Sequence, residues 1–246
     1  MKRPHLAWTT SLLTVLFLSL AGPAAFADVL DKTDTVSGVK LHYRVVLPNG
    51  YDPAKTYPAV LAFPGGEQSI ETVERTLENN WKDQAEKRGY IVVIPAAPGG
   101  RLFFEGGERV FPEFFTKLLA DYKILGGKFH IAGVSNGGIS AFHIAAMYPQ
   151  YFWSVTGLPG FLPTHEFTPK GVHALAGMCI NMFAGELDPD WAQEEAEEAD
   201  ALRKQGMKVQ IAVEKGQGHA METLAGAGAA RLFDQFEAAR GGGCGK

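Results

Sequence analysis

Short apolar runs alternate with stretches of helical spacing along most of this chain. Residues 58–63 are apolar without interruption, as a strand buried on both faces must be. Residues 71–88 repeat apolar side chains at helical intervals, with Val73, Leu77, Trp81 and Ala85 on one stripe and Gly89 as terminator. The pattern then predicts a strand over 90–95, a Gly- and Pro-rich loop over 96–109, and a helix over 110–122. A strand at 128–133 leads into a helix at 139–148, and another strand covers 152–157. A connection containing Pro, Gly and aromatics spans 158–177. It is followed by strand 178–184, an acidic helix 189–205, strand 208–213 and a last helix 219–239. Ahead of these, 36–47 alternates as an opening strand or hairpin with Gly38 at its turn. The chain has no internal repeat. Strands alternating with helices predict one α/β domain over 39–240, a mostly parallel central sheet with helices on both faces. Residues 28–38 read as a leading segment and 241–246 as a flexible tail.

In a sheet of this kind ligands bind beyond the carboxyl ends of the strands. One chemically suggestive segment there is Gly133-Val134-Ser135-Asn136-Gly137, a G-x-S-x-G pattern between a strand and a helix. With 29 glycines in the chain a bare match carries little weight. The strand before it and the helix after it make it a nucleophile elbow, a tight turn that exposes a serine hydroxyl above the sheet. Gly133 and Gly137 suit such a turn because it leaves no room for a Cβ. The bland alternative is a structural Gly-rich turn.

A serine hydroxyl needs a base, and the base needs an orienting acid. His219, in Gly216-Gln217-Gly218-His219, follows the last predicted strand. The other histidines fall in the leader (His5), in strands (His42, His130), on the helix after Ser135 (His143) or in the 158–177 connection (His165, His173), where a structural role is the ordinary reading. Asp188 follows strand 178–184, which gives the order Ser, Asp, His. Asp190 and Glu186 compete with it, and either also suits the start of the helix at Pro189, where acids are favoured. An oxyanion would need two N–H donors. Asn136, the residue after the serine, supplies one, and the turn Pro64-Gly65-Gly66-Glu67 the other. Gly66 is the first choice in that turn and Gly65 the second; both are also explained as turn glycines.

Around this centre the 158–177 connection offers Phe161, His165 and Phe167 as substrate-facing walls, and the loop 99–108 offers Phe103 and Phe104. The same aromatics would serve equally to pack loops onto the sheet. Glu194, Glu195, Glu197 and Glu198 suggest a metal site only superficially. No histidine at ligand spacing accompanies them, and a solvated helix face is the simpler reading.

Composition changes the picture in two places. At 46% hydrophobic, 20% charged and net charge −4, with no Lys/Arg cluster, the chain is an ordinary globular protein rather than a nucleic-acid binder. Its first 27 residues read as a cleaved export signal. Lys2 and Arg3 precede an apolar stretch at 12–21, and Ala25-Phe26-Ala27 gives the cleavage motif ahead of Asp28. The apolar stretch is shorter than the ~20 residues a membrane span needs. Export to a periplasm or the medium is therefore expected. The chain from Asp28 onward suffices for one core but not for two comfortable domains. Cys179, in an apolar strand, and Cys244, in a Gly-rich tail, are expected to be unpaired.

Taken together, Phe63-Pro64-Gly65-Gly66, Gly133-Val134-Ser135-Asn136-Gly137-Gly138, Gly185-Glu186-Leu187-Asp188 and Gly218-His219 resemble the signatures of α/β-hydrolases. The nearest likeness is to exported single-domain esterases of the polyhydroxybutyrate-depolymerase and feruloyl-esterase group. Two positions depart from the usual pattern: Pro64 and Ala184 stand where histidines are common. The resemblance implies hydrolysis of a small-molecule or polymeric ester through an acyl-enzyme, with Ser135, His219 and Asp188 as nucleophile, base and orienter, and no metal or organic cofactor. A peptidase or acyltransferase would use the same groups, and a binding protein on a hydrolase scaffold would have the fold without the turnover. Neither the ester nor the oligomeric state follows from the sequence.

Overall fold

A computed structural model of the chain describes residues 28–244. The proposed leader, 1–27, lies outside them. Eight strands form one sheet: β1 (Val29–Val36), β2 (Val39–Val46), β3 (Tyr57–Phe63), β4 (Ile91–Pro95), β5 (Ile124–Gly133), β6 (Phe152–Gly157), β7 (Cys179–Gly185) and β8 (Lys208–Glu214). Their spatial order is β1-β2-β4-β3-β5-β6-β7-β8. β2 runs antiparallel to β1 and β4, and the remaining neighbours are parallel. Residues 28–38 are thus not a separate leading segment. Val29–Val36 pairs with β2 along its full length, and the two-residue turn at Ser37 and Gly38, both at positive φ, gives the hairpin its tight connection.

The uninterrupted apolar runs are explained by two cores, one on each face. On β3, Ala59, Leu61 and Phe63 enter one core and Val60 and Ala62 the other; on β4, Ile91 and Val93 oppose Val92 and Ile94. Helices α3 (Phe111–Asp121), α4 (Asn136–Met147), the short α5 (Pro169–His173) and α6 (Pro189–Lys204) cover the first face. The second is covered by α1 (Ile70–Thr76), α2 (Lys82–Arg88) and α7 (Ala230–Arg240).

Between α1 and α2 lies one π-helical turn, Leu77–Trp81. It accounts for the four-residue spacing of the stripe. In a straight α-helix each i,i+4 step overshoots by roughly 40°, which would carry Trp81 and Ala85 off the core. The wider turn takes up the excess, and Val73, Leu77, Trp81 and Ala85 are all buried.

The last predicted helix is shorter than its pattern suggested. Residues 219–229 form a loop with two 3-10 turns, Glu222–Leu224 and Gly226–Ala229, and only Ala230–Arg240 is α-helical. Gly226 sits at φ +52, and a Cβ on Gly228 would lie 2.2 Å from the Thr223 carbonyl oxygen. The Gly-Ala repeat therefore coils tightly, and glycine's poor helix propensity offers nothing to oppose this. The cysteine expectation is also corrected. Helix α7 returns the chain to the edge of the sheet where β7 begins, and Cys244 forms a disulfide with Cys179, their Cα atoms 5.2 Å apart. Periodicity placed one cysteine in a strand and the other in a tail, but not the tail beside that strand's start.

Candidate active site

The chain leaves β5 at Gly133 and enters α4 at Asn136, so the turn between them has two residues, Val134 and Ser135. Ser135 adopts φ 56°, ψ −122°. A non-glycine residue in such a region costs roughly 1–3 kcal/mol and persists only where its surroundings impose it. They do so here: Ser135 N–H donates to the Pro159 carbonyl at 2.9 Å, and the Ser135 carbonyl accepts from Ile139 N–H at 3.1 Å. A Cβ on Gly137 would approach the Phe63 carbonyl oxygen to 2.4 Å. Glycine at that place lets α4 lie directly on the end of β3.

His219 Nε2 lies 2.8 Å from Ser135 Oγ, and His219 Nδ1 lies 2.6 Å from Asp188 Oδ2. The three segments that follow β5, β7 and β8 thus bring hydroxyl, imidazole and carboxylate into one hydrogen-bonded chain. The competing acids lie elsewhere. Glu186 accepts from Gly216 N–H at 2.8 Å and ties the two loops together. Asp190 is exposed in the first turn of α6. A Cβ on Gly185 would sit 2.1 Å from the Gly218 carbonyl oxygen, so glycine there permits the close approach of the acid and histidine loops.

The other histidines in the described residues have separate surroundings. His130 is buried beneath Phe236, bonds Ser154 Oγ through Nδ1 at 2.8 Å, and is pushed down to about 3 by desolvation, so it is neutral. Burial likewise lowers His143, which packs edge-on against Phe167. His42 pairs with Asp31 near the sheet edge.

Gly65 and Gly66 stand beside the Val134–Ser135 turn. An added Cβ on Gly65 would meet the Val134 carbonyl oxygen at 3.1 Å, and Gly66 is at φ +61. Asn136 Nδ2 donates to the Gly66 carbonyl at 2.9 Å, holding this loop to the first residue of α4. A residue that no motif pointed to organises the loop from behind. Gln68 is fully buried at φ 53°. Its Nε2 donates to Ser140 Oγ (2.7 Å) and to the Asn136 carbonyl (3.3 Å). Its Oε1 accepts from Phe103 N–H (3.1 Å), and its carbonyl from Ala97 N–H (2.7 Å). Gln68 thereby joins three segments around Ser135.

Two cavities flank the serine. One, of about 430 Å³, is lined by Gly65, Gly66, Ser135, Leu158, His219 and Met221 among others. The second, of about 540 Å³, is walled by Phe104, Asn136, Phe161, His165 and Trp191, with Glu194, Glu197 and Glu198 at its margin. Phe161 and His165 both line this second cavity. Phe167 instead packs on His143, and Phe103 is buried against Phe63 and Phe111, whereas Phe104 is half-buried and lines the second cavity. Trp191, which carried no sequence signal, contacts both Phe161 and His219, ring centroids 5.5 and 5.1 Å away. Glu195 departs most from expectation: it is fully buried rather than on a solvated face. Among the described residues no three His, Cys, Asp or Glu side chains converge as metal ligands would.

Sequence comparison finds no matching protein-family model and no matching curated protein. Comparison with solved structures gives clear likenesses. A thermostable esterase matches at TM-score 0.67 and 20% identity, over 87% of this chain and 62% of that one. A ferulic acid esterase matches at TM-score 0.60 and 19% identity, over 85% and 96%. Oligopeptidase B from Trypanosoma brucei matches at TM-score 0.61 and 18% identity, over 85% and 37%. The chain therefore spans less than two thirds of the first and third of these proteins. At such identities the likeness is one of architecture, and with the mostly parallel eight-stranded sheet it establishes that this chain has the α/β-hydrolase fold.

Proposed function

We propose that this protein is an exported serine hydrolase that cleaves carboxylic esters through an acyl-enzyme. The observation that carries the reading is the unbroken hydrogen-bonded chain from Ser135 Oγ through the His219 ring to Asp188. In this scheme Ser135 Oγ attacks the ester carbonyl carbon while its proton passes to His219 Nε2. Asp188 stays ionised, fixes the tautomer through Nδ1–H and stabilises the imidazolium. The carbonyl oxygen, now an oxyanion, accepts hydrogen bonds from the backbone N–H groups of Asn136 and Gly66. Collapse of the tetrahedral adduct expels the alcohol, which takes the proton from His219 Nε2. Water then attacks the acyl carbon with His219 as base, and the acid leaves.

Export rests on the 1–27 pattern, and the Cys179–Cys244 disulfide is consistent with an oxidising compartment, a periplasm or the medium. The likenesses to a thermostable esterase and a ferulic acid esterase favour esters, small or polymeric. The likeness to an oligopeptidase keeps amide bonds as a second reading. Labelling with a fluorophosphonate probe, which requires only an activated serine, tests the core of the scheme. Adduct mass is expected on the peptide containing Ser135 and is expected to vanish in Ser135→Ala and His219→Ala. Folded protein that stays unlabelled would defeat the proposal. Parallel ester and anilide panels then separate the two readings.

A further inference from the structure

Glu195 lies on the inner face of α6 together with Ala199 and Leu202, a position where this helix otherwise buries apolar side chains. Its exposure is 0%, whereas Glu194 and Glu197 beside it face solvent. A carboxyl placed there must be held by a specific partner, because an unpaired buried polar group costs several kcal/mol. The partner is the Gly160 N–H, which donates to Glu195 Oε1 at 2.6 Å. Gly160 N belongs to the same planar peptide unit as the Pro159 carbonyl, and that carbonyl accepts the Ser135 N–H at 2.9 Å. Amide and carbonyl of a trans peptide point in opposite directions, so one rigid plate is gripped from both sides. Ser135 holds one edge of it and Glu195 the other. The plate has little freedom to find another support. A Cβ on Gly160 would come within 2.5 Å of Gly138 Cα, and one on Gly157 within 2.1 Å of the Gly160 carbonyl oxygen.

We propose that Glu195 is a positioning residue for the nucleophile, clamping the 158–160 turn so that the Pro159 carbonyl fixes Ser135 in its strained conformation. The proposal rests on the reading of Ser135 as nucleophile. Glu195 touches neither the reacting atoms nor the flanking cavities, and it acts only through the Pro159–Gly160 peptide. Its second oxygen, Oε2, is buried and has no partner among the described residues. Desolvation, with a smaller contribution from the nearby charge of Asp188, raises this carboxyl to about 8, against the opposing pull of the Gly160 N–H. The clamp is therefore a neutral acid at neutral pH. Asp188, at the entrance to α6, is the charged group facing it.

The test compares wild type, Glu195→Gln and Glu195→Leu by the rate of fluorophosphonate labelling at Ser135 and by amide hydrogen exchange of the peptide that contains Gly160. Gln keeps a neutral acceptor and is expected to label within about twofold of wild type at pH 7. Leu has a similar volume and no acceptor. It is expected to label tenfold or more slowly, with faster exchange at Gly160, and to lower kcat more than it raises KM. A folded Leu variant that labels at the wild-type rate would overturn the proposal. If Leu does not fold, the Gln variant decides. Its Gly160 exchange is expected to match wild type, and a Gln variant that labels tenfold more slowly while Gly160 stays as protected as in wild type would refute the clamp. Wild type left unlabelled but showing Gly160 exchange that depends on Glu195 would instead refute the nucleophile reading and leave the structural clamp standing.

Discussion

Replacing Gln68 by Met removes the polar junction behind Ser135 while nearly preserving volume. Three hydrogen bonds of the side chain are lost: to Ser140 Oγ at 2.7 Å, to the Asn136 carbonyl at 3.3 Å and from Phe103 N–H at 3.1 Å. The Gln68–Ala97 bond is between backbones and survives. The Asn136 carbonyl retains the helical bonding available to it in α4, so its loss weighs least. Phe103 N–H and Ser140 Oγ are left buried without this partner, and each such orphan costs about 1–3 kcal/mol. The expected destabilisation is therefore about 2–6 kcal/mol, a large share of the ~5–15 kcal/mol that a domain has. With a urea slope near 3 kcal/mol/M for a chain of this size, the midpoint should fall by about 1–2 M with the slope unchanged. Pairing Gln68→Met with Ser140→Ala should recover part of the loss, with a coupling of roughly 1–3 kcal/mol, because the second change removes one orphan. Labelling of Ser135 should also slow, since the loop bearing Gly66 and the start of α4 lose their common anchor. A midpoint within 0.2 M of wild type, taking about half a kcal/mol as the resolution of the method, would show that Gln68 is not the junction described.

Other consequences follow from the same geometry. Asp188→Asn leaves the fold intact but presents the wrong hydrogen-bonding partner to His219 Nδ1, so under the proposed mechanism kcat on any accepted ester should fall by on the order of 10⁴; a loss under tenfold would point to a different acid. Cys244→Ser opens a bridge spanning 65 residues and should cost about 4 kcal/mol on the loop-entropy scale, read as a lower Tm that reductant lowers no further. Its kcat should not change, because the bridge sits at the start of β7 and Asp188 lies beyond the other end. Glu195 binds its proton more tightly in the folded chain, at about 8 against a reference of 4.5, so the folded state holds the extra proton between those values. Stability therefore drains from wild type as pH rises through that window. Glu195→Gln should gain on it between pH 5 and 8, by about 1.4 kcal/mol per unit at most, and parallel Tm–pH curves would contradict this.

What the sequence disclosed and what it hid divide along the range of the interaction. The β3 run, the α1–α2 stripe and the Gly-x-Ser-x-Gly turn are set by neighbours a few residues apart, so periodicity and local sterics locate them. Asp188 and His219 are long-range partners, yet they were legible because parallel topology places every strand-end loop on one edge. The choice between Asp188, Asp190 and Glu186 was not settled by pattern; it depends on which carboxylate the 185–188 turn aims at His219 Nδ1. The Cys179–Cys244 bridge escaped because it requires knowing that α7 ends beside the start of β7.

Gln68 and Glu195 escaped for a more general reason. A polar residue in an apolar surrounding looks, in sequence, like a surface residue in a loop or on a charged helix face, since the partner that justifies its burial is far along the chain. Gln68 finds Ser140 and Phe103, 72 and 35 residues away, and Glu195 finds Gly160, 35 residues away. Gln68 also holds the Asn136 carbonyl, in the first turn of α4, and Glu195 holds the Pro159–Gly160 peptide; both groups adjoin Ser135 or bond to it. Apolar side chains filling the same sites would supply packing but would leave those amides and hydroxyls free to rotate or unsatisfied. Burying a polar side chain is the more costly arrangement, and here the partners Ser140 and Gly160 each adjoin a backbone group, Ile139 N–H and the Pro159 carbonyl, that bonds Ser135 at φ 56°. Local strain at Ser135 and buried polar groups behind it are thus two sides of one arrangement, in which directional bonds, rather than hydrophobic contacts, hold the strained turn in place.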